Sequence, residues 1–381
     1  MDGAVVWLVH VPRHAPRELV LAHDKAWQRD GDSLVELRED RRRAILTELI
    51  AGQDWSAHIV AGATLADLDP AAIAKARAKY TEKHQNERWA AEMADWSVEQ
   101  FLAKAKMTTH GQLNRAALLL LGRAECVDWL SPQPAEILWK VPADRIALPF
   151  GPPFVLTTTE VGQRIRNPNI KLFPETELLA VELPRYDAQV VLEGLHNCIA
   201  HQDYTLNGRI VVTEWLDKLT FENDGSFFEG APADYLTGNK TPRRYRNPFL
   251  VNAMAELGMI DTMGYGIYQM HLGQARRYFP MPDYDLSEPN VTRMTIYGGV
   301  IDQAYSEILM QETSLALDDI LALDRVQKKL PLDEEMLKHL RRAGLVEGRK
   351  PNLYVSASVA KATDKKAAYI RMRAQDDDYY A

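Results

Sequence analysis

Apolar positions along the 381-residue chain alternate between strand-like and helix-like spacing, and this rhythm sets out its elements. Residues 5–11 form a β-rich apolar run that Pro12 ends. Trp27 lies in a segment that leads into the turn Asp30-Gly31-Asp32-Ser33. Ser33 and Glu36 stand three apart, a capping-box spacing that predicts a helix through the charged residues 36–43. Residues 54–106 read as polar and helical, and 116–122 as a buried helix end capped by Gly122. A strand is predicted at 137–141, then a rigid loop around Pro149-Phe150-Gly151-Pro152-Pro153. Further on come a helix at 190–201, strands at 210–213 and 219–222, and a turn at Asn223-Asp224-Gly225. A loop over 230–247 precedes a helix at 249–257, a Gly-rich bend at 263–267, a helix at 268–278 and a strand at 291–297. The last part shows helical patterns near 303–313, 317–329 and 333–343, followed by a hairpin ending at 353–355. Three helices and a hairpin are the layout of a winged helix-turn-helix.

Composition narrows this picture. Hydrophobic residues make up 46% and charged residues 26%, as in a folded soluble protein, and the length suits two or three domains. Residues 116–121 are the longest apolar run, far below the ~20 needed to span a bilayer, so no membrane role is expected and a cytoplasmic location is. Cys126 and Cys198 are too few for a disulfide framework or a structural zinc site. The net charge of −8 argues against non-specific nucleic-acid affinity over the whole surface, yet permits a local basic patch.

Candidate chemistry concentrates between 193 and 266. Glu193 and Asn197 are four apart and share a helix face, with His201 a turn further on. Val191, Leu192, Leu195 and Ile199 occupy the other side. At a magnesium–triphosphate site Asn197 can supply a metal oxygen while Glu193 orients and deprotonates water. A solvated helix face explains the same spacing. That explanation loses weight against the order of residues downstream: Asn223, able to bond a base edge, with Gly225, then Gly264 and Gly266 before a helix start. Cys198 carries an ordinary core reading, and His196 and His201, five apart, do not share a helix face.

This ordered trio resembles the GHKL (Bergerat) ATPase fold of gyrase, heat-shock chaperone ATPases and histidine kinases. Glu193 and Asn197 match its N-box, Asn223 and Gly225 its first glycine box, and Gly264 and Gly266 its second. The resemblance implies bound ATP and Mg2+, a lid over 238–248 and Thr295 near adenine. Lys240, Arg243 and Arg246, in a Gly- and Pro-flanked loop with little else to pack on, read as phosphate or subunit contacts, and His201 as a cap or hydrogen-bond partner near the nucleotide. Two departures are visible: Asn223 stands where the wider fold has Asp, and the second glycine box is short. A narrower likeness runs over about 55–362, through Asn197–Tyr204, Tyr245-Arg246-Asn247-Pro248, Gly264-Tyr265-Gly266-Ile267, Asp324–Lys329 and Val346–Leu353, to bacterial ATP-binding proteins catalogued as RecG-like or as transcriptional regulators. No Gly-x-x-x-x-Gly-Lys-Ser/Thr motor loop accompanies it. That family begins with a Schlafen-type AlbA-like domain, of which residues 1–52 resemble only the second half.

The expected class is therefore α+β. A partial AlbA-like module over 1–52 leads to a helical connector with a small α/β region at 53–184. A GHKL-type domain at 185–300, a winged helix at 301–362 and a tail at 363–381 complete the chain. Residues 324–350 hold eight Lys or Arg against five Asp or Glu, with Lys338, Arg341 and Arg342 at helical i, i+3, i+4 spacing as a candidate phosphate stripe. The expected function is an ATP-binding, ATP-hydrolysing, nucleic-acid-associated regulator that handles DNA ahead of RNA, with a homodimer entertained. The competing reading is a non-catalytic DNA-binding transcriptional regulator; a nucleic-acid-processing enzyme comes third.

Overall fold

In a computed structural model of the chain, the structure describes residues 19–30, 32–38, 42, 54–130, 135–172 and 181–356. Contacts divide it into two units, Met1–Trp55 and Ser56–Ala381. In the first, β1 (Leu21–Ala22), β2 (Lys25–Asp30) and β3 (Ser33–Glu36) form an antiparallel ladder. The helix expected from Ser33 is thus corrected at its start; farther along Arg42 is helical, and 39–41 and 43 lie outside the described residues. Ser33–Glu36 pairs with Lys25–Asp30 across a turn, Lys25 Nζ meets Glu36 Oε2 at 2.9 Å, and ladder pairing outweighs the local capping spacing. The predicted strand over 5–11 and the tail at 363–381 lie outside the described residues.

The second unit begins with α1 (Pro70–His84), α2 (Val98–Lys104), the short pair β4 (Thr108–Thr109) and β5 (Gln112–Leu113), and α3 (Arg115–Leu121). Asp69, Ser97 and Asn114 cap the three helices with side-chain oxygens. All of residues 116–121 are buried, and Gly122 closes α3. Next come β6 (Ile137–Val141), β7 (Ile146–Phe150) and α4 (Phe154–Arg164). The expected loop is shorter than predicted: Pro149 lies within β7, which Pro tolerates because β7 is an edge strand. Helix α4 escaped the sequence reading because Val155, Thr157, Thr158 and Val161 are poor helix formers. Burial of all four supports it, with Thr157 Oγ1 donating to Gly151 O at 2.7 Å and Thr158 Oγ1 to Phe154 O at 2.9 Å.

The small pair β8 (Asn169–Leu172) and β9 (Val181–Pro184) precedes α5 (Ala188–His201), β10 (Ile210–Glu214), β11 (Lys218–Asp224), α6 (Pro248–Glu256), α7 (Gly266–Ala275), β12 (Asp283–Asp285) and β13 (Val291–Tyr297). A six-stranded sheet runs β12-β13-β11-β10-β6-β7; β10 pairs with β6 in parallel and the other pairs are antiparallel. The architecture is α+β around one mixed sheet. Helix α5 presses its apolar side onto β11 and β13 at Gly194, where a Cβ would stand 2.7 Å from Met294 Cε and 3.4 Å from the Phe221 ring.

Three helices follow, α8 (Gln303–Gln311), α9 (Leu317–Gln327) and α10 (Glu334–Arg342), then the hairpin β14 (Val346–Arg349) and β15 (Asn352–Val355). Their shared core joins Tyr305, Leu323, Leu337, Leu340 and Val355, and Met281 from outside the three helices is part of it.

Candidate functional site

The cleft beside α5 encloses about 910 Å³ of non-protein space, its open mouth included. Asp187 starts α5 by accepting from the amides of Gln189 at 2.7 Å and Val190 at 3.3 Å, which fixes the face the helix turns to the cleft. On that face Asn197 Nδ2 donates to Glu193 Oε1 at 3.2 Å. This bond fixes the amide so that Asn197 Oδ1 points away from the carboxylate. The first residue of α7 closes on the same pair: a Cβ on Gly266 would stand 2.2 Å from Glu193 Oε1. Burial pushes the Glu193 carboxyl above the ordinary carboxylate range and Asp261 adds to this, while the Asn197 bond opposes it.

The Gly-rich bend supplies the adjoining wall. Gly264 has φ +90°, and a Cβ there would meet Lys240 O at 2.4 Å, so the bend lies directly against the predicted lid. The carboxylate of Asp261 accepts from the amides of Met263 at 3.1 Å and Tyr265 at 2.9 Å, occupying donors that an anion could use. Phe221, Phe227, Tyr235, Tyr245 and Tyr284 give the cleft aromatic walls. Its carboxylates are Glu193, Glu229 and Asp261, and its arginine is Arg244.

Of the residues expected at the site, Glu193, Asn197, His201, Asn223, Gly264 and Gly266 line this one cleft. Asn223 Nδ2 donates to Asp224 O at 3.0 Å, which leaves its carbonyl oxygen as the acceptor on offer. His201 is held neutral: burial, then Arg246, bring its pKa to about 4. Gly225, Lys240, Arg243, Arg246 and Thr295 are not among the lining residues. Lys240 Nζ instead pairs with Asp234 at 2.6 Å over the Tyr235 ring. The backbone amides of Arg243 and Arg244 donate to Glu229 Oε2 at 3.0 and 2.8 Å. Arg246 bonds Asp203 at 2.8 Å and Ser226 O at 2.9 Å, and lies against Gly225 and the Phe228 ring. The premise that Lys240 and Arg246 have little else to pack on is therefore corrected: acids and carbonyls near the segment give them partners that its Gly and Pro content did not suggest.

Thr295 is corrected as well. Strand β13 alternates, with Thr292 and Met294 in the cleft lining and Thr295 on the opposite face. Thr292 Oγ1 donates to Gly225 O at 2.9 Å. Sequence reasoning also missed Asp261, Tyr284 and Asn247. Asn247 Nδ2 donates to Ala200 O at 3.1 Å and Gln202 O at 2.9 Å, satisfying carbonyls at the end of α5. Cys198 lines the cleft too, but burial pushes its thiol up to about 12, so it is no nucleophile. Among the described residues no group of three or more His, Cys, Asp or Glu is arranged to hold a metal ion, and no helix is long and apolar enough to cross a membrane.

Two stretches of the chain match known families. Residues 43–135 match a domain of unknown function (DUF8451). No curated protein matches the chain. The crystal structure of the DIP2311 protein from Corynebacterium diphtheriae shares the fold at a TM-score of 0.50 and 19% identity, over 87% of this chain and 70% of that one. Residues 208–296 match the family described as "Putative ATP-dependent DNA helicase recG C-terminal", which marks them as an ATPase-like domain related to RecG and leaves Glu193 and Asn197 just ahead of the matched segment.

Proposed function

We propose that the cleft binds an adenine nucleotide with Mg2+ and hydrolyses it, and that the chain is a nucleic-acid-associated regulator whose arrangement the nucleotide controls. The observation that carries this reading is the Glu193–Asn197 pair, 3.2 Å apart, set against the first residue of α7. The donor set fits the ligand. Asn197 Oδ1 is a hard oxygen oriented by its own amide bond, Asn223 offers an acceptor to an exocyclic amino group, and the aromatic walls suit a base. Bound Mg2+ would supply charge neutralisation at the phosphates. Glu193 would accept the proton of the attacking water, a role its raised pKa favours near neutral pH, and Asn197 would hold the carboxylate in place. In this reading the fold around α5 is of GHKL type.

The nucleic-acid part rests on the C-terminal elements read as a winged helix. There Lys338, Arg341 and Arg342 are all exposed on α10, and Arg341 Nη2 donates to Gly348 O at 2.8 Å, tying the stripe to the hairpin. Residues 1–52 are proposed as the partial AlbA-like module, and a second copy of the chain as a further partner. One observation favours the non-catalytic alternative: Asp261 already occupies the Met263 and Tyr265 amides.

Isothermal titration and phosphate release with Mg·ATP on the wild type, Glu193→Ala and Asn197→Ala separate the readings. Binding kept but hydrolysis lost in Glu193→Ala supports the ATPase. Binding without turnover in the wild type supports a sensor, and absence of binding in the wild type removes the nucleotide site.

A further inference from the structure

The cleft and the C-terminal helices meet through two elements that each belong to both. Helix α7 starts at Gly266 against Glu193, and its ten residues carry the chain about 15 Å to Ala275 and Tyr278, which pack on the C-terminal core. Ser306 Oγ of α8 donates to Tyr278 O at 2.6 Å. Strand β12 is the second element. Its middle residue, Tyr284, lines the cleft, while Asp283 beside it faces the other way, as strand alternation requires. Met281, two residues earlier, is 1% exposed within the C-terminal core.

At the junction lies a buried charge. The side chain of Lys328, at the end of α9, is 7% exposed, and its ammonium has three acceptors: Asp324 Oδ2 at 2.7 Å, Met281 O at 2.7 Å and Asp283 Oδ1 at 2.9 Å. Those satisfy its three N–H donors. Asp324 accepts in turn from Met281 N at 2.9 Å and Gln327 Nε2 at 2.8 Å, and Tyr297 OH donates to Asp283 Oδ2 at 2.6 Å. Strand β12 is the sheet's edge, held on one side by β13, and Lys328 holds its Asp283 on the face opposite the cleft. A buried, fully paired ammonium tolerates little displacement, because each lost partner leaves a desolvated charge.

We infer that Lys328, Asp324 and Asp283 form the joint through which occupancy of the cleft is transmitted to the three C-terminal helices. A ligand that moves Tyr284 or the start of α7 displaces β12 against this joint, and the helices at 303–342 respond. By linkage, a partner that shifts those helices changes ligand affinity by the same factor. The inference rests on the cleft being a nucleotide site, and Lys328 and Asp283 act as positioning residues.

The test uses the full chain, a non-hydrolysable ATP analogue and Mg2+. Calorimetry reads binding, and hydrogen exchange over 303–342 reads transmission, in the wild type, Asp283→Asn and Asp285→Asn. Asp283→Asn keeps the shape and removes the charge; Asp285, bonded to Arg293 at 2.9 Å within the sheet, is the control. The expected result is an exchange change of about fivefold or more in the wild type and Asp285→Asn, a magnitude usual for coupled sites. In Asp283→Asn it should fall below about twofold, with affinity held within about threefold. Equal transmission in Asp283→Asn, or binding in the wild type with unchanged exchange, overturns the joint and leaves the site standing. Absence of calorimetric binding in the wild type overturns the site, and the joint with it.

Discussion

Replacing Arg246 with alanine decides between two roles for that side chain. Its guanidinium donates to Asp203 Oδ2 at 2.8 Å and to Ser226 O at 2.9 Å. Arginine and aspartate side chains are only 16% and 19% exposed, so the pair sits between a surface bridge and a fully buried one. Surface pairs contribute about 0–1 kcal/mol and breaking a buried one costs about 3–5 kcal/mol, which places Arg246→Ala near 2 kcal/mol. For the Ser56–Ala381 unit, at about 2.1 cal/mol/K of unfolding entropy per residue, that lowers Tm by roughly 3 °C. Arg246→Lys should recover less than half, because an ammonium cannot serve two acceptors in one planar fork. Urea denaturation and thermal melts give the stability, and titration with Mg·ATP gives the affinity. Destabilisation below about 0.5 kcal/mol together with an affinity loss above about tenfold would return Arg246 to the ligand and refute this reasoning.

Gly264→Ala imposes a Cβ at φ +90° and 2.4 Å from Lys240 O, so the lid should detach locally at a cost of roughly 1–3 kcal/mol; faster proteolysis within 238–248 and weaker nucleotide binding would report it. Burial brings His196, His201 and His271 to pKa values of about 4, below the 6.5 of the unfolded chain. The unfolded state then binds more protons between those values. Stability is therefore full above pH 6.5 and falls toward pH 4, by up to about 1.4 kcal/mol per unit per histidine, a slope that urea midpoints should show and His271→Gln should reduce. Lys338, Arg341 and Arg342 changed together to Glu should abolish retention of duplex DNA and flatten its salt dependence; unchanged binding in a filter assay would remove α10 from nucleic-acid contact.

How much the sequence discloses depends on the range of the interactions involved. The pairing of Glu193 with Asn197 is a property of one helix, so four-residue spacing was enough to find it. The positions of strands β10, β11 and β13 along the chain were likewise readable in the sequence, though not their order in the sheet. Asp261 was not, because its role depends on a loop folding back so that one carboxylate meets the amides two and four residues ahead. Lys240 and Arg246 misled for the opposite reason. A cationic loop looks unpartnered until Asp234 and Asp203 arrive from other segments. Thr295 failed on strand parity: it stands an odd number of residues from Met294 and Thr292, which line the cleft, so its side chain lies on the other face. Ser33 shows a local capping signal losing to a ladder that no three-residue spacing encodes.

These corrections alter the electrostatic argument for the ligand. The lid was expected to bring positive charge over the nucleotide, but Lys240 and Arg246 are committed to Asp234 and Asp203. Within the cleft, Glu193, Glu229 and Asp261 face Arg244 as its arginine. Such a lining opposes a bare triphosphate, and the two amides bonded to Asp261 cannot attract it without releasing that carboxylate. The same acids attract a cation, and Asn197 Oδ1 stands ready beside Glu193. If the cleft holds ATP, then Mg2+ is a condition of binding as well as of chemistry. Affinity should collapse when magnesium is chelated, and Asp261→Asn, which keeps an acceptor oxygen and drops the charge, should restore part of the magnesium-free binding.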